Sequence, residues 1–111
     1  MRRETLACLT DILRAANRVR EAVKDVELQA YLLNWEKQSA VERQFMIIGE
    51  ALVRIRDFEP GVLARIPDAE KIVRLRNLLA HGYDAVDASS LYGYADEPVS
   101  GLIEAVAELL P

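Results

Sequence analysis

Residues 34–56 read NWEKQSAVERQFMIIGEALVRIR, and the spacing of their apolar side chains sets the architecture. Val41, Phe45, Ile48, Leu52 and Ile55 form one stripe of a 3.6-residue period. Ala40, Ile47 and Ala51 widen it beyond a single face. A helix apolar over so wide an arc is covered from two sides, and in a chain this small the second cover is expected from another subunit. Asn34 stands at the N-cap, ahead of a helix expected over residues 35–56.

Working outward, residues 3–24 carry Leu6, Leu9, Leu13, Ala16, Val19 and Val23 on one helical face. Asp25 is placed to cap a short helical piece running to Leu33. On the other side, Pro60-Gly61 and Ile66-Pro67 mark a loop with a short turn. Asp68 is expected to cap a helix carrying Ile72, Leu75 and Leu79, which reaches about His81 and stops near Gly82. Asp87 is expected to cap a last helix bearing Leu91, Ala95, Val99, Leu102, Val106 and Leu109. Pro98 falls inside that stripe and should kink the helix near Tyr94 rather than end it. No strand alternation appears, so the fold class is all-α.

The chain has 111 residues, which suits a single domain over residues 1–111. Its net charge of −4 excludes a generally basic nucleic-acid coat but not a local basic site. Eight residues is the longest stretch free of Asp, Glu, Lys and Arg, too short to span a bilayer. Asp11 and Arg14 break any uncharged signal-peptide core. One Cys and one His allow neither an internal disulfide nor a metal cluster. The expected setting is therefore reduced and cytoplasmic, with no membrane and no cofactor. An apolar content of 51% is rich for so small a domain and gives a first hint of a dimer. All 14 basic residues lie within residues 1–76, and eleven of them are Arg, whose planar fork grips phosphate oxygens in pairs.

Chemistry concentrates in Arg74-Leu75-Arg76-Asn77-Leu78-Leu79-Ala80-His81-Gly82-Tyr83. Asn77 and His81 share a helical face, and Arg76 and Tyr83 share a neighbouring one if the helix persists. A proton-transfer group, a phosphate-gripping group and a phenol are thus clustered. RNA can be cut by its own 2′-hydroxyl when a base takes that proton, an acid protonates the leaving oxygen and a cation stabilises the phosphorane. One chain has one histidine, whereas a two-fold dimer supplies two His and two Arg. By spacing alone, a helix-terminal histidine is more often a simple cap, and Arg76 could as easily pair with Glu50.

The same residues resemble a known family. Arg76, four residues, His81, one residue and Tyr83 match the Arg-x4-His-x-Tyr signature of HepT-type HEPN-domain toxins. Ile47-Ile48-Gly49-Glu50-Ala51 is similar to that family's Ile-Gly-Glu-Ala helix, and Arg65-Ile66-Pro67 to its Ile-Pro turn. Val86-Asp87 continues the pattern, which spans roughly residues 3 to 110. Asp68 replaces a frequent Trp after the Ile-Pro, and residues 27–35 match poorly.

The resemblance implies an up-and-down HEPN bundle of four to five helices, usually homodimeric. It implies a metal-independent endoribonuclease, the toxin of a type VII toxin–antitoxin pair, acting on RNA at a composite site in the dimer interface. Its partner would be an MntA-like nucleotidyltransferase antitoxin that transfers AMP to Tyr83. Carried over, Arg76 stabilises the transition state, His81 does acid–base work, and Asn77 orients His81 or the RNA. The alternative is a catalytically inactive HEPN module that partners a nucleotidyltransferase.

Other residues have blander readings. Glu50 either holds Arg76 or is an exposed or interface glutamate. Gly49 would let another helix approach closely, which fits a dimer seam. Tyr92 and Tyr94 read as packing residues, Trp35 as a helix-start anchor and Cys8 as a small apolar residue. Arg14, Arg18, Arg54 and Arg56 are candidates to line an RNA groove, with solvated surface the expectation for at least half.

Overall fold

The computed structural model describes residues 1–82 and 86–111. Among these the chain is all-α. Four long helices, α1 (Arg3–Val23), α3 (Trp35–Phe58), α5 (Ala69–Ala80) and α7 (Glu97–Leu109), are joined through three short ones. The short ones are α2 (Leu28–Leu32), α4 (Pro60–Leu63) and α6 (Ala88–Tyr94).

Helix α3 is the centre of the bundle. Val41, Phe45, Ile48, Leu52 and Ile55 are fully buried, as their spacing requires. Asn34 caps the helix, its Oδ1 accepting from the Lys37 N–H at 2.9 Å. The second cover expected from another subunit comes from within the chain: α1 packs on one side of α3 and α5 on another. Ala51 is buried accordingly, Ile47 is half-buried, and Ala40 stays exposed.

Helix α1 packs against both α3 and α7, so its buried face is broad. It runs through Thr5, Cys8, Leu9, Ile12, Ala15, Ala16 and Val19. Leu6, Leu13 and Val23, expected on the core stripe, sit only at its margin. Cys8 packs as a small apolar residue, and burial pushes its thiol up against an opposing pull from Arg54.

The boundaries correct several expectations. Asp25 caps nothing; it takes the left-handed conformation (φ 58°) that ends α1, a state Asp tolerates better than most residues. Asp68 precedes α5 but is also left-handed (φ 60°) and makes no side-chain cap bond, because an N-cap carboxylate needs an extended backbone to reach back. Asp87 precedes α6 and accepts from the Ser90 hydroxyl at 3.3 Å instead of a backbone N–H. Pro98 does not kink one helix but stands in the first turn of a new one, α7, where a missing N–H costs nothing. Pro60 likewise opens α4 inside the expected loop. These breaks raise the helix number to seven among the described residues, above the four to five expected.

Trp35 does not anchor its helix: it is 73% exposed, beside Leu33 at 88%. Tyr92 does pack as expected, its ring 5.2 Å from that of Tyr31 and its hydroxyl donating to the Val26 carbonyl. Tyr94 meets Phe45 edge-on at 6.4 Å. No helix among the described residues is long and apolar enough to cross a membrane.

Candidate active site

The site is built where α5 crosses α3 at Gly49. A Cβ at that position would stand 2.2 Å from the Arg76 Cβ and 2.6 Å from its Cγ, so only glycine lets the two helices meet there. The close neighbour of Gly49 is therefore a helix of the same chain, not a dimer seam. The stem of Arg76 lies across this gap, leaving its side chain 28% exposed.

From there the guanidinium turns to two partners. Its Nη2 is ion-paired and hydrogen-bonded to the Glu50 carboxylate, and its Nη1 donates to the Asn77 Oδ1 at 2.9 Å. Gly49 and Glu50 thus act together: one residue admits the arginine, and the next takes its charge. Both readings of Glu50 hold in part: it contacts Arg76, and its side chain remains exposed.

Arg76 and Glu50 form part of the wall of an open cleft of about 310 Å³. Met46 and Ile47 supply apolar surface there, and Arg43 and Arg54 add two further guanidiniums. Arg54 was among the candidate groove residues; Arg43 was missed, although its seven-residue spacing from Glu50 and eleven-residue spacing from Arg54 place all three on one helical face. The remaining candidates do not line this cleft: Arg14 borders it through Asp11 of its wall, at 3.9 Å, Arg56 is 3.6 Å from Glu70, and Arg18 is exposed on α1.

His81 occupies the C-cap of α5 and is exposed. Its backbone N–H donates to the Asn77 carbonyl at 3.2 Å. Gly82 follows at φ 65°, the left-handed residue that commonly closes a helix. Because α5 ends at Ala80, the helical register that would relate Arg76 to Tyr83 does not continue that far. Tyr83 itself lies outside the described residues. On ideal helical geometry carried to the C-cap, Arg76 and His81 are separated by about 7.5 Å of rise and about 140° of rotation.

A cation fixed at a cleft wall and an imidazole at the exposed end of the same helix can stabilise a pentacoordinate phosphate and move a proton. Comparison with known proteins points the same way. The family described as ribonuclease HepT-like matches residues 12–109. A candidate RNase of Methanocaldococcus jannaschii is 36% identical over 98 residues, covering 88% of this chain and 89% of that protein. A probable ribonuclease HepT of Thermococcus cleftensis is 30% identical over 102 residues, 92% of each chain. No solved structure gives a significant match.

Proposed function

The chain belongs to the HepT-like ribonuclease family, and from that premise we propose that it is a metal-independent endoribonuclease whose site is completed by a second copy of itself. The observation that carries this reading is the pairing of a fixed Arg76 with an exposed His81 on one short helix. In the reaction, a base takes the proton of the 2′-hydroxyl, and the O2′–P bond forms as the P–O5′ bond breaks. An acid returns a proton to the leaving 5′-oxygen. Arg76 balances the charge that grows on the non-bridging oxygens. His81 supplies the base from one copy and the acid from the other.

Two features support the homodimer. The chain holds one histidine for a reaction that wants two proton-transfer groups. The rotation between Arg76 and His81 around α5 also aims them at different points of one copy, so facing copies would combine them.

The wider role follows the family. The protein is the toxin of a toxin–antitoxin pair in the cytoplasm, silenced by an MntA-like nucleotidyltransferase. That partner would join AMP from ATP to the Tyr83 oxygen and release pyrophosphate. Glu50 and Asn77 support Arg76. Co-expression with such a transferase should add one or more AMP masses to Tyr83; an unmodified Tyr83 would contradict the antitoxin scheme.

A second reading, a catalytically inactive HEPN module presented to a nucleotidyltransferase, draws on the bonds that already occupy Arg76. One assay separates the two. Purified protein and labelled RNA are mixed with excess chelator. The nuclease reading predicts cleavage that falls by a hundredfold or more, about 2.7–4 kcal/mol, in Arg76→Ala and in His81→Ala. Intact RNA, or equal cutting by all three proteins, contradicts it.

A further inference from the structure

We infer that Arg43 and Arg54 are a pair of phosphate-holding positions that seat a single RNA strand along α3, on either side of Arg76. The inference rests on the nuclease reading but concerns binding, which is measured separately from cutting.

The geometry is that of one helical face. Eleven residues separate Arg43 from Arg54, which is three turns and about 16 Å of rise. Glu50 lies between them on the same face, and it holds the Arg76 guanidinium. The three cations therefore stand in a row, with the proposed reacting position in the middle. Phosphates of an extended strand follow one another along such a row, so a scissile phosphate at Arg76 would have neighbours within reach of the outer two.

The charges are also unevenly committed. Three arginines and two acids line the cleft. Both acids have partners: Glu50 is taken by Arg76, and Asp11 faces Arg14. Neither Arg43 nor Arg54 is ion-paired among the described residues, and both are exposed. On a chain of net charge −4, this cleft presents two cations whose donors remain available to a ligand. Arginine matches phosphate oxygens with two parallel donors.

Size and lining narrow the ligand further. A cleft of about 310 Å³ is at the small end of ligand sites; it has room for a unit or two of a single strand, and a duplex could not enter it with its bases. Met46 and Ile47, both half-buried, give a base or ribose an apolar surface between the charged ends.

The test is the salt dependence of binding to a short 2′-O-methyl RNA, which cannot be cut by its own 2′-oxygen. Each phosphate neutralised on a single strand contributes about 0.7 to the slope of log K against log salt. Arg43→Gln and Arg54→Gln should each lower the wild-type slope by about 0.7, and the double variant by about 1.4. Arg43→Lys and Arg54→Lys should retain the slope, which separates lost charge from lost folding. Arg20→Gln, in a different groove beside Tyr92 and Asp96, should also retain it. Slopes unchanged in both Gln variants, an equal fall in Arg20→Gln, equal affinity for a duplex of the same sequence, or no binding by wild type would each overturn the inference. Cleavage with unchanged slopes would leave the nuclease reading standing without this one. Slope loss without any cleavage by wild type would do the reverse.

Discussion

Two grooves flank the crossing region of the bundle, and by composition they are alike. The first holds Arg43, Arg54 and Arg76 with Asp11 and Glu50. The second, of about 650 Å³, holds Arg56, Lys71 and Arg74 with Asp68 and Glu70. Each has three cations and two acids, yet they differ in what those charges already do. In the second, Arg56 faces Glu70 at 3.6 Å and Lys71 lies 5.5 Å over the Tyr94 ring. Arg74 is left with Asp68 in the same groove, and neither is ion-paired among the described residues. In the first, both acids are occupied while Arg43 and Arg54 are not. Counting charges does not separate the two grooves; following each charge to its partner does, leaving, among the described residues, two unpaired arginines and no unpaired acid in the first against an unpaired Arg74 and Asp68 in the second.

The sharpest way to break this comparison is to remove one arginine from each groove. Arg76→Ala should cost RNA cleavage at least a hundredfold, and Arg74→Ala, two residues earlier on the same helix, should cost little. Similar losses in both would mean that general charge, rather than the built site, sets the activity.

Next in size is a pair of glycines. Gly49→Ala forces a methyl group into the Arg76 stem and should destabilise the fold by about 1–3 kcal/mol, each kcal/mol lowering the melting temperature by about 4–8 °C. Gly61→Ala, on α4 next to the second groove, meets nothing within 4 Å and should melt within a few degrees of wild type. Equal melting of the two variants would show that α5 does not depend on the Gly49 crossing.

A smaller effect is expected from the acids. Glu50→Ala frees the Arg76 guanidinium and should slow cleavage about tenfold through misplacement. Glu70→Ala should leave cleavage unchanged. The two side chains are 48% and 59% exposed, so either loss should cost stability less than about 1 kcal/mol.

The mildest probe is Cys8. Burial raises its thiol pKa while Arg54 lowers it, so the thiol stays protonated at neutral pH and native alkylation should be slow. Arg54→Gln should slow it further by removing the opposing charge. Faster alkylation in that variant would place Arg54 over the cysteine as a steric cover instead.

Features set by neighbouring residues are legible in this sequence, and features set by distant ones are not. The α3 stripe from Val41 to Ile55 was legible because burial on one face writes a period into the chain, and the Asn34 cap because its chemistry is confined to one turn. Pro98 was misjudged because the same residue breaks a helix or opens one, depending on the backbone of Ala95 and Asp96 before it. The caps expected at Asp25 and Asp68 fail for different reasons: the N-cap of α2 is Glu27, two residues later, and Asp68 is left-handed where a capping residue needs an extended backbone. The Arg76–Glu50 contact was foreseen as a possibility. What makes it compulsory, the Gly49 crossing, joins residues 27 apart in sequence and has no local signature. Arg43 was legible in principle, through its register with Glu50 and Arg54, once that face was known to line a cleft.

The most direct test of the account is the chemistry of the RNA ends left by wild-type protein in excess chelator. Attack by the 2′-oxygen, with Arg76 and His81 as the working groups, predicts 2′,3′-cyclic phosphate on one fragment and a 5′-hydroxyl on the other, both lost in His81→Ala. Fragments that begin with a 5′-phosphate, or ends that His81→Ala yields equally well, would contradict it.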